Sequence, residues 1–274
     1  MKTHPRSHGD KELIYLKLGG SLITDKHSPR TPRLDVLDRL ALEIQAGLRE
    51  NPGMQILLGH GSGSFGHTSG NQYQTREGVS TPEEWTGFTE VWGDAADLNR
   101  LVMRALQSTG LPAVAFPPSA SVLTRNRQII SWDLSPLQSA LNNNLIPVVF
   151  GDVVFDESLG GTILSTEELF VYLAASLTPR RILLAGRDPG VWRDFPACTR
   201  LYQSISLTER QHLKDKISSS AATDVTGGMG DKVNQMLDLI STLPNLEALI
   251  FSGEESVQLK QALAGESPGT RLHS

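Results

Sequence analysis

The stretch that most constrains this chain is Gly59-His60-Gly61-Ser62-Gly63-Ser64-Phe65-Gly66-His67, which follows the apolar run Gln55-Ile56-Leu57-Leu58. A run of four apolar-to-neutral residues closed by glycine reads as a buried strand that ends in a tight turn. Glycines let the backbone turn sharply and come close to a ligand with no side chain in between. Successive N–H groups at the start of a helix then form a site for an anion. His60 and His67 bracket the loop, and imidazole can pair with a phosphate near neutral pH. The same composition would also suit a flexible surface turn, but the preceding strand and a second loop of the same type, Gly19-Gly20-Ser21, argue against that. Neither loop matches GxxxxGK[ST] or GxGxxG, so neither a P-loop nor a dinucleotide fingerprint is present here.

The rest of the chain alternates in the same way. Leu13 to Leu18 is a strand running into Gly19-Gly20-Ser21, and Leu34 to Glu50 repeats apolar residues with a helical period before Pro52-Gly53 stops it. Strand, loop, helix, strand implies a parallel sheet with right-handed crossovers, and both glycine loops then lie at carboxyl ends of strands, where open α/β sheets bind ligands. Residues 70–81 read as a loop or lid and 82–110 as one or two helices. Trp85, Phe88 and Trp92 are candidates to wall an apolar pocket, although most apolar residues of that stretch are core. Further strands are expected at 113–116, 145–150, 181–185 and 248–251, with a hairpin over 153–164 and a polar turn at Arg125-Asn126-Arg127. Ser165-Thr166-Glu167-Glu168 resembles a capping box opening a helix to Leu177. The segment 193–220 should hold one short helix. A third glycine loop, Asp224 to Lys232, opens a helix, and the tail from Gly265 is polar.

At 274 residues the chain can form one α/β domain or two joined lobes. We expect a single domain over 13–272, with an acceptor-binding lobe over about 13–177 and a nucleotide-binding lobe over about 178–272. Residues 1–12, polar and without a signal-peptide core, are expected to be a disordered leader. A net charge of −5 with no basic run argues against a nucleic-acid partner. The single cysteine, Cys198, excludes an internal disulfide and a multi-Cys metal site. No apolar run reaches the ~20 residues that span a bilayer. A cytosolic protein without a membrane partner is the expectation.

Lys17 beside the first loop, Lys26 just beyond it and Lys232 at the third loop suit phosphoryl transfer, which needs reactants in line and charge neutralised by lysines, N–H groups and Mg²⁺. At this point Lys17-Leu18-Gly19-Gly20-Ser21 and Asp224-Val225-Thr226-Gly227-Gly228-Met229 resemble the amino acid kinase superfamily. Ile23-Thr24-Asp25-Lys26 and Gly63-Ser64-Phe65-Gly66-His67 are similar to its archaeal-type isopentenyl phosphate kinases, and the resemblance spans about residues 13–272. It implies an α/β fold, a three-layer αβα sandwich around a central, mostly parallel sheet. It implies ATP and Mg²⁺ as cofactors, isopentenyl phosphate as the small-molecule substrate, and a homodimer.

By the same resemblance, Lys17, Gly19, Gly20 and Ser21 would face the ATP phosphates, and Lys17 and Lys26 would stabilise the transferred group. Gly61, Ser62 and Gly63 would line the junction of acceptor and γ-phosphate, with Gly66 in the same cradle. His67 would hold the acceptor phosphate, and Ser165 and Thr166 would approach it from the other side. Gly186, Arg187, Asp188 and Gly190 would contact the nucleoside, and Gly227 and Lys232 the ATP phosphates. No protein-held metal site is implied, and His60 reads as structural. Three places depart from the family pattern: Gly61-Ser62-Gly63 where Gly-Gly-Gly is usual, Gly186-Arg187-Asp188-Pro189-Gly190 where a Thr-Asp-Val-Asp-Gly motif is usual, and Ser165-Thr166-Glu167-Glu168 for Ser-Gly-Asp-Asp. A kinase of another small phosphate or phosphonate, of the fosfomycin-kinase type, and a non-catalytic nucleotide-binding regulator are the alternatives.

Overall fold

The computed structural model describes residues 11–210 and 228–274, apart from the side chains at 67, 68 and 71. In chain order the elements are β1 (Glu12–Leu18), α1 (Gly20–Ile23), α2 (Leu34–Glu50), β2 (Met54–His60), α3 (Gly63–Tyr73), α4 (Pro82–Ser108), β3 (Ala113–Ala115), β4 (Val122–Arg125), β5 (Gln128–Trp132), α5 (Ser135–Asn142), β6 (Ile146–Phe150), β7 (Asp152–Asp156), β8 (Gly160–Leu164), α6 (Thr166–Leu177), β9 (Arg181–Gly186), β10 (Ser204–Ser206), α7 (Met229–Thr242), β11 (Glu247–Ser252), α8 (Gln258–Leu263) and β12 (Thr270–His273).

Eight strands form the central sheet in the order β10-β12-β11-β9-β1-β2-β6-β3. Neighbours from β11 to β3 are all parallel; β12 runs antiparallel to β11, and β10 pairs parallel with β12. Both faces of the sheet are covered, which is why its strands read as nearly continuous apolar runs. On one face Ile14, Leu16, Ile56 and Leu58 pack with residues of α2, α4 and α8; on the other Tyr15, Leu57 and Val149 pack with α5, α6 and α7. Alternation along β1 therefore places Lys17 on the face of Tyr15 and α6. These three layers are the αβα sandwich expected. The lobe boundary expected at about 177/178 coincides with the end of α6, and β1, paired with β2 on one side and β9 on the other, carries one sheet through both halves.

Several expectations need correction. Residues 70–81 are not all loop, because α3 runs on to Tyr73. The stretch 82–110, expected as one or two helices, holds one, Pro82–Ser108 of 27 residues, started by a reciprocal capping box between Thr81 and Glu84 with Pro82 in the first turn. The turn Arg125-Asn126-Arg127 joins a pair of strands, β4 and β5, in a second sheet of order β5-β4-β7-β8. The polar tail contains β12, and the segment after Arg193 contains β10; residues 211–220 lie outside the described residues, as do 1–10 of the expected leader. Among the described residues no helix is long and apolar enough to cross a membrane.

Candidate active site

The carboxyl ends of β1 and β2 are joined back to back. A Cβ on Gly20 would lie 2.3 Å from the Gly63 nitrogen, and Gly63 itself has φ +50° and would place a Cβ 2.1 Å from Thr24 Oγ1. Only glycine satisfies both positions, so the two glycine loops form one continuous backbone surface. Gly61 N–H donates to Leu18 O at 3.0 Å, Ser64 N–H to Thr24 Oγ1 at 2.9 Å, and Thr24 Oγ1 to Gly20 O at 2.8 Å. Thr24 is thus the stitch between the loops.

Above this floor lies a cleft open to solvent. The structure brings together on its wall Lys17, Gly19, Gly20, Ser21, Gly61, Ser62, Gly63, Gly66, Ser165, Thr166, Gly186, Arg187, Asp188 and Lys232. Ser62, the departure in the second loop, donates its hydroxyl to Gly151 O at 3.1 Å and so ties the loop to the junction of β6 and β7. Its side chain stands against Gly66, where a Cβ would come within 2.5 Å of Ser62 Cβ.

Lys17 is buried and ion-paired with Glu167 in the first turn of α6. Burial alone would push the Glu167 carboxyl up, but the charges of Lys17 and Lys232 outweigh it and hold the group below its ordinary value. Glu167 therefore stays an anion between two lysines that come from β1 and α7. Glu168 points elsewhere: it accepts from Ser165 N–H at 2.7 Å, closing the capping box, and from Arg76 at 3.1 and 3.3 Å.

The hydroxyls of Ser165 and Thr166 are committed to the fold. Ser165 Oγ accepts from Glu168 N–H at 3.2 Å, and Thr166 Oγ1 donates to His60 O at 2.6 Å. What these two residues present to the cleft is the start of a 12-residue helix. Lys26 is exposed and absent from the cleft wall, and Gly190 is buried against Thr270 rather than facing the cleft. His67 lies in α3, but its side chain is outside the described residues, and Gly227 is outside them altogether. His60 is buried, stacked on Phe150 at 5.2 Å and placed with Nε2 3.2 Å from Asn99 Oδ1; burial lowers its pKa to about 4, so it is a neutral structural group.

The apolar end of the cleft is formed by Val91 from α4 and Ile163 from β8. Phe88 and Trp85 stand one layer behind them, in a cluster with Val79 and Val153, while Trp92 is 49% exposed. The aromatic wall expected from the sequence is therefore an aliphatic wall backed by aromatics. Two functional groups were missed as cleft residues. Glu167 could have been found, since a capping box uses the third helical position, Glu168, and turns Glu167 to another side. Asp152 gave no signal; its carboxyl is buried on the cleft wall, accepts from Val153 N–H at 2.9 Å and Ser119 N–H at 3.2 Å, and is raised by desolvation to about 6.

The model of the amino acid kinase family matches residues 12–252. The chain belongs to the amino acid kinase family. Within that family it is 32% identical to the isopentenyl phosphate kinase of Methanocaldococcus jannaschii, covering 95% of this chain and 98% of that one. It is 33% identical to the isopentenyl phosphate kinase of Methanothermobacter thermautotrophicus over the same shares. A crystal structure of an isopentenyl phosphate kinase superposes with a TM-score of 0.79 at 30% identity, covering 95% of this chain and 99% of the other. This amino acid kinase is thus an enzyme of the isopentenyl phosphate kinase group, with its cleft at the carboxyl edge of the shared sheet.

Proposed function

We propose that this kinase transfers the γ-phosphoryl group of ATP to isopentenyl phosphate, giving isopentenyl diphosphate and ADP. The observation that carries this reading is the junction itself: a buried lysine, Lys17, held by Glu167 above two fused glycine loops, with an aliphatic end at Val91 and Ile163 in the same cleft. An oxygen of the acceptor phosphate forms the new bond to the γ-phosphorus while the bond from that phosphorus to the β-bridging oxygen breaks, and ADP keeps the electron pair. A phosphate monoester is already anionic near neutral pH, so the attack needs no general base. It needs cations and N–H groups to offset repulsion between two phosphates, and Lys17, Lys232 and the loop N–H groups supply them. Glu167 holds Lys17 in place through their ion pair without itself touching the reacting atoms. His67 and Lys26 belong to the same proposal as further ligands for the acceptor phosphate and the moving group, and Gly227 as a further ATP ligand.

Magnesium is part of the proposal too. Among the described residues no three His, Cys, Asp or Glu side chains converge as a metal site, and Glu167 is engaged by Lys17. These residues fit an ion carried by the nucleotide's own phosphates rather than by a protein cage. When bound, it neutralises phosphate charge. A cytosolic homodimer completes the reading, and sedimentation of the purified chain measures its assembly.

A steady-state panel with ATP and isopentenyl phosphate, dimethylallyl phosphate, small phosphonates or no acceptor tests the proposal. We expect the two prenyl phosphates to be turned over fastest. Failure to phosphorylate any alkyl monophosphate would sink it; transfer to a phosphonate alone would select the fosfomycin-type alternative, and ATP binding without transfer the regulatory one.

A further inference from the structure

The loop after β9 carries a cation, Arg187, that the expected layout places against the nucleoside. Arg187 lines the cleft beyond Gly186, in line with the first glycine loop: Gly19 N–H donates to Ala185 O at 2.8 Å, and a Cβ on Gly19 would stand 3.5 Å from Gly186 Cα. Its guanidinium is not loose. Arg187 Nε lies 2.9 Å from Glu254 Oε1, just past the end of β11. Glu254 is in turn gripped by Arg33, whose Nη1 and Nη2 reach its two oxygens at 2.7 and 2.8 Å, while Arg33 Nη1 also donates to Leu22 O at 3.0 Å. Two more hydrogen bonds complete the frame: Gly253 N–H donates to Gly186 O at 2.8 Å, and Glu254 N–H to Ser252 Oγ at 3.1 Å.

Two guanidiniums share one carboxylate, so the group carries a net positive charge. Arg33 satisfies both Glu254 oxygens by itself. Arg187 approaches Glu254 with Nε, and its terminal nitrogens donate no hydrogen bond among the described residues. The geometry left over is the fork that suits two oxygens of a phosphate. Asp25 also feels Arg187; it is held below its ordinary value first by the His27 N–H, with Arg187 a smaller contribution. Asp25 is engaged locally, accepting from His27 N–H at 2.9 Å.

We propose that Arg187 binds the phosphate chain of the nucleotide, and that Glu254, anchored by Arg33, is the positioning residue that aims it. This rests on the reading of the cleft as a nucleotide site, and it differs from the resemblance, which assigns residues 186–190 to the nucleoside. Arg187 becomes a third cation on the wall of the cleft with Lys17 and Lys232. Glu254 fixes the guanidinium from behind, through Nε, so that its free edge is presented before the ligand arrives, which lowers the ordering cost of binding.

The test is calorimetric binding of ATP, ADP and adenosine to the full chain, with thermal melting as the check on folding. Arg187→Ala should weaken ATP and ADP by about 10-fold or more and adenosine by less than about 2-fold, and Arg187→Lys should recover part of the loss. Glu254→Gln should weaken ATP by several fold with Arg187 present and leave it unchanged in an Arg187→Ala background. Equal weakening of adenosine and ATP, or a Glu254→Gln effect that persists without Arg187, would overturn the proposal. These titrations need no acceptor, so they stand or fall apart from the identity of the phosphorylated substrate. Should Glu254→Gln melt early, the Arg187→Ala and Arg187→Lys pair still decides between phosphate and nucleoside contact.

Discussion

The two ends of the cleft are built on opposite principles. At the glycine end the chain removes side chains and packs backbone on backbone, so closely that Gly20 and Gly63 admit no Cβ. Two of the cations there are held by carboxylates, Lys17 by the buried Glu167 and Arg187 by Glu254. At the other end the wall is made of side chains, Val91 and Ile163, supported by the rings of Phe88 and Trp85. A backbone surface is rigid and tolerates no substitution; an aliphatic wall changes volume by single methyl groups. The comparison teaches that the chemistry and the choice of acceptor are separable: substitutions at the first end should act on rate, those at the second on which tail fits.

The largest effect is expected at the first end. Lys17→Ala should lower kcat by about 10²–10³-fold, the size found when one preorganised charge-stabilising donor is removed, with the acceptor KM changing far less. A variant that lost only acceptor affinity would break the division between the ends.

Next comes a pH effect that joins two buried groups beside the polar end. Asp152 is held near 6 against an ordinary 3.8, so between those values the folded state keeps a proton the unfolded state has lost, and stability falls as pH rises. His60 is held near 4 against an ordinary 6.5, so the unfolded state takes the proton first and stability falls as pH falls. At about 1.4 kcal/mol per pH unit each contributes about 3 kcal/mol, with opposite sign. Over pH 4–6 these two contributions nearly cancel in the parent chain, while Asp152→Asn should expose the His60 slope and lose about 3 kcal/mol on going from pH 6.5 to 4. Denaturant unfolding at several pH values reads this, and parallel curves for the two proteins would contradict it.

At the aliphatic end, Ile163→Ala should favour phosphate monoesters with a longer apolar tail. The shift in the ratio of kcat/KM for long over short tails should be about 10-fold or more, because methylene-scale fit is worth about 1–3 kcal/mol. The rate with the best acceptor should stay within a few fold. An unchanged ratio would place the tail elsewhere. The smallest effect is expected at Tyr15, buried on the same face of β1 as Lys17, with a hydroxyl that has no partner among the described residues. Tyr15→Phe should leave stability unchanged or raise it by up to about 1 kcal/mol; a clear loss in a melt would show that the hydroxyl is satisfied.

What was legible in the sequence follows from the same contrast. The strands buried on both faces announce themselves as apolar runs, and the glycine loops at their ends stand out because close backbone approach demands that residue. Strands β4, β5 and β12 do not, since Arg125, Gln128, Arg271 and His273 sit at or near sheet edges with polar side chains in solvent. Side-chain partnerships were less legible still. Glu167 and Glu168 are adjacent and chemically alike, and only the helical turn between them sends one to Lys17 and the other to Arg76. Arg187 and Glu254 are far apart in the chain and meet because β9 and β11 are neighbours in register, Gly186 opposite Ser252. Trp92 read as a pocket candidate because it lies close in sequence to the 59–67 loop, yet its side chain is half exposed.

The most direct measurement is the fate of the terminal phosphate of ATP when the purified chain is given isopentenyl phosphate. With γ-labelled ATP, the account predicts that the label moves into the terminal phosphate of a prenyl diphosphate, in amounts equal to the ADP formed. Label released only as inorganic phosphate, or ADP formed at the same rate without the acceptor, would contradict it.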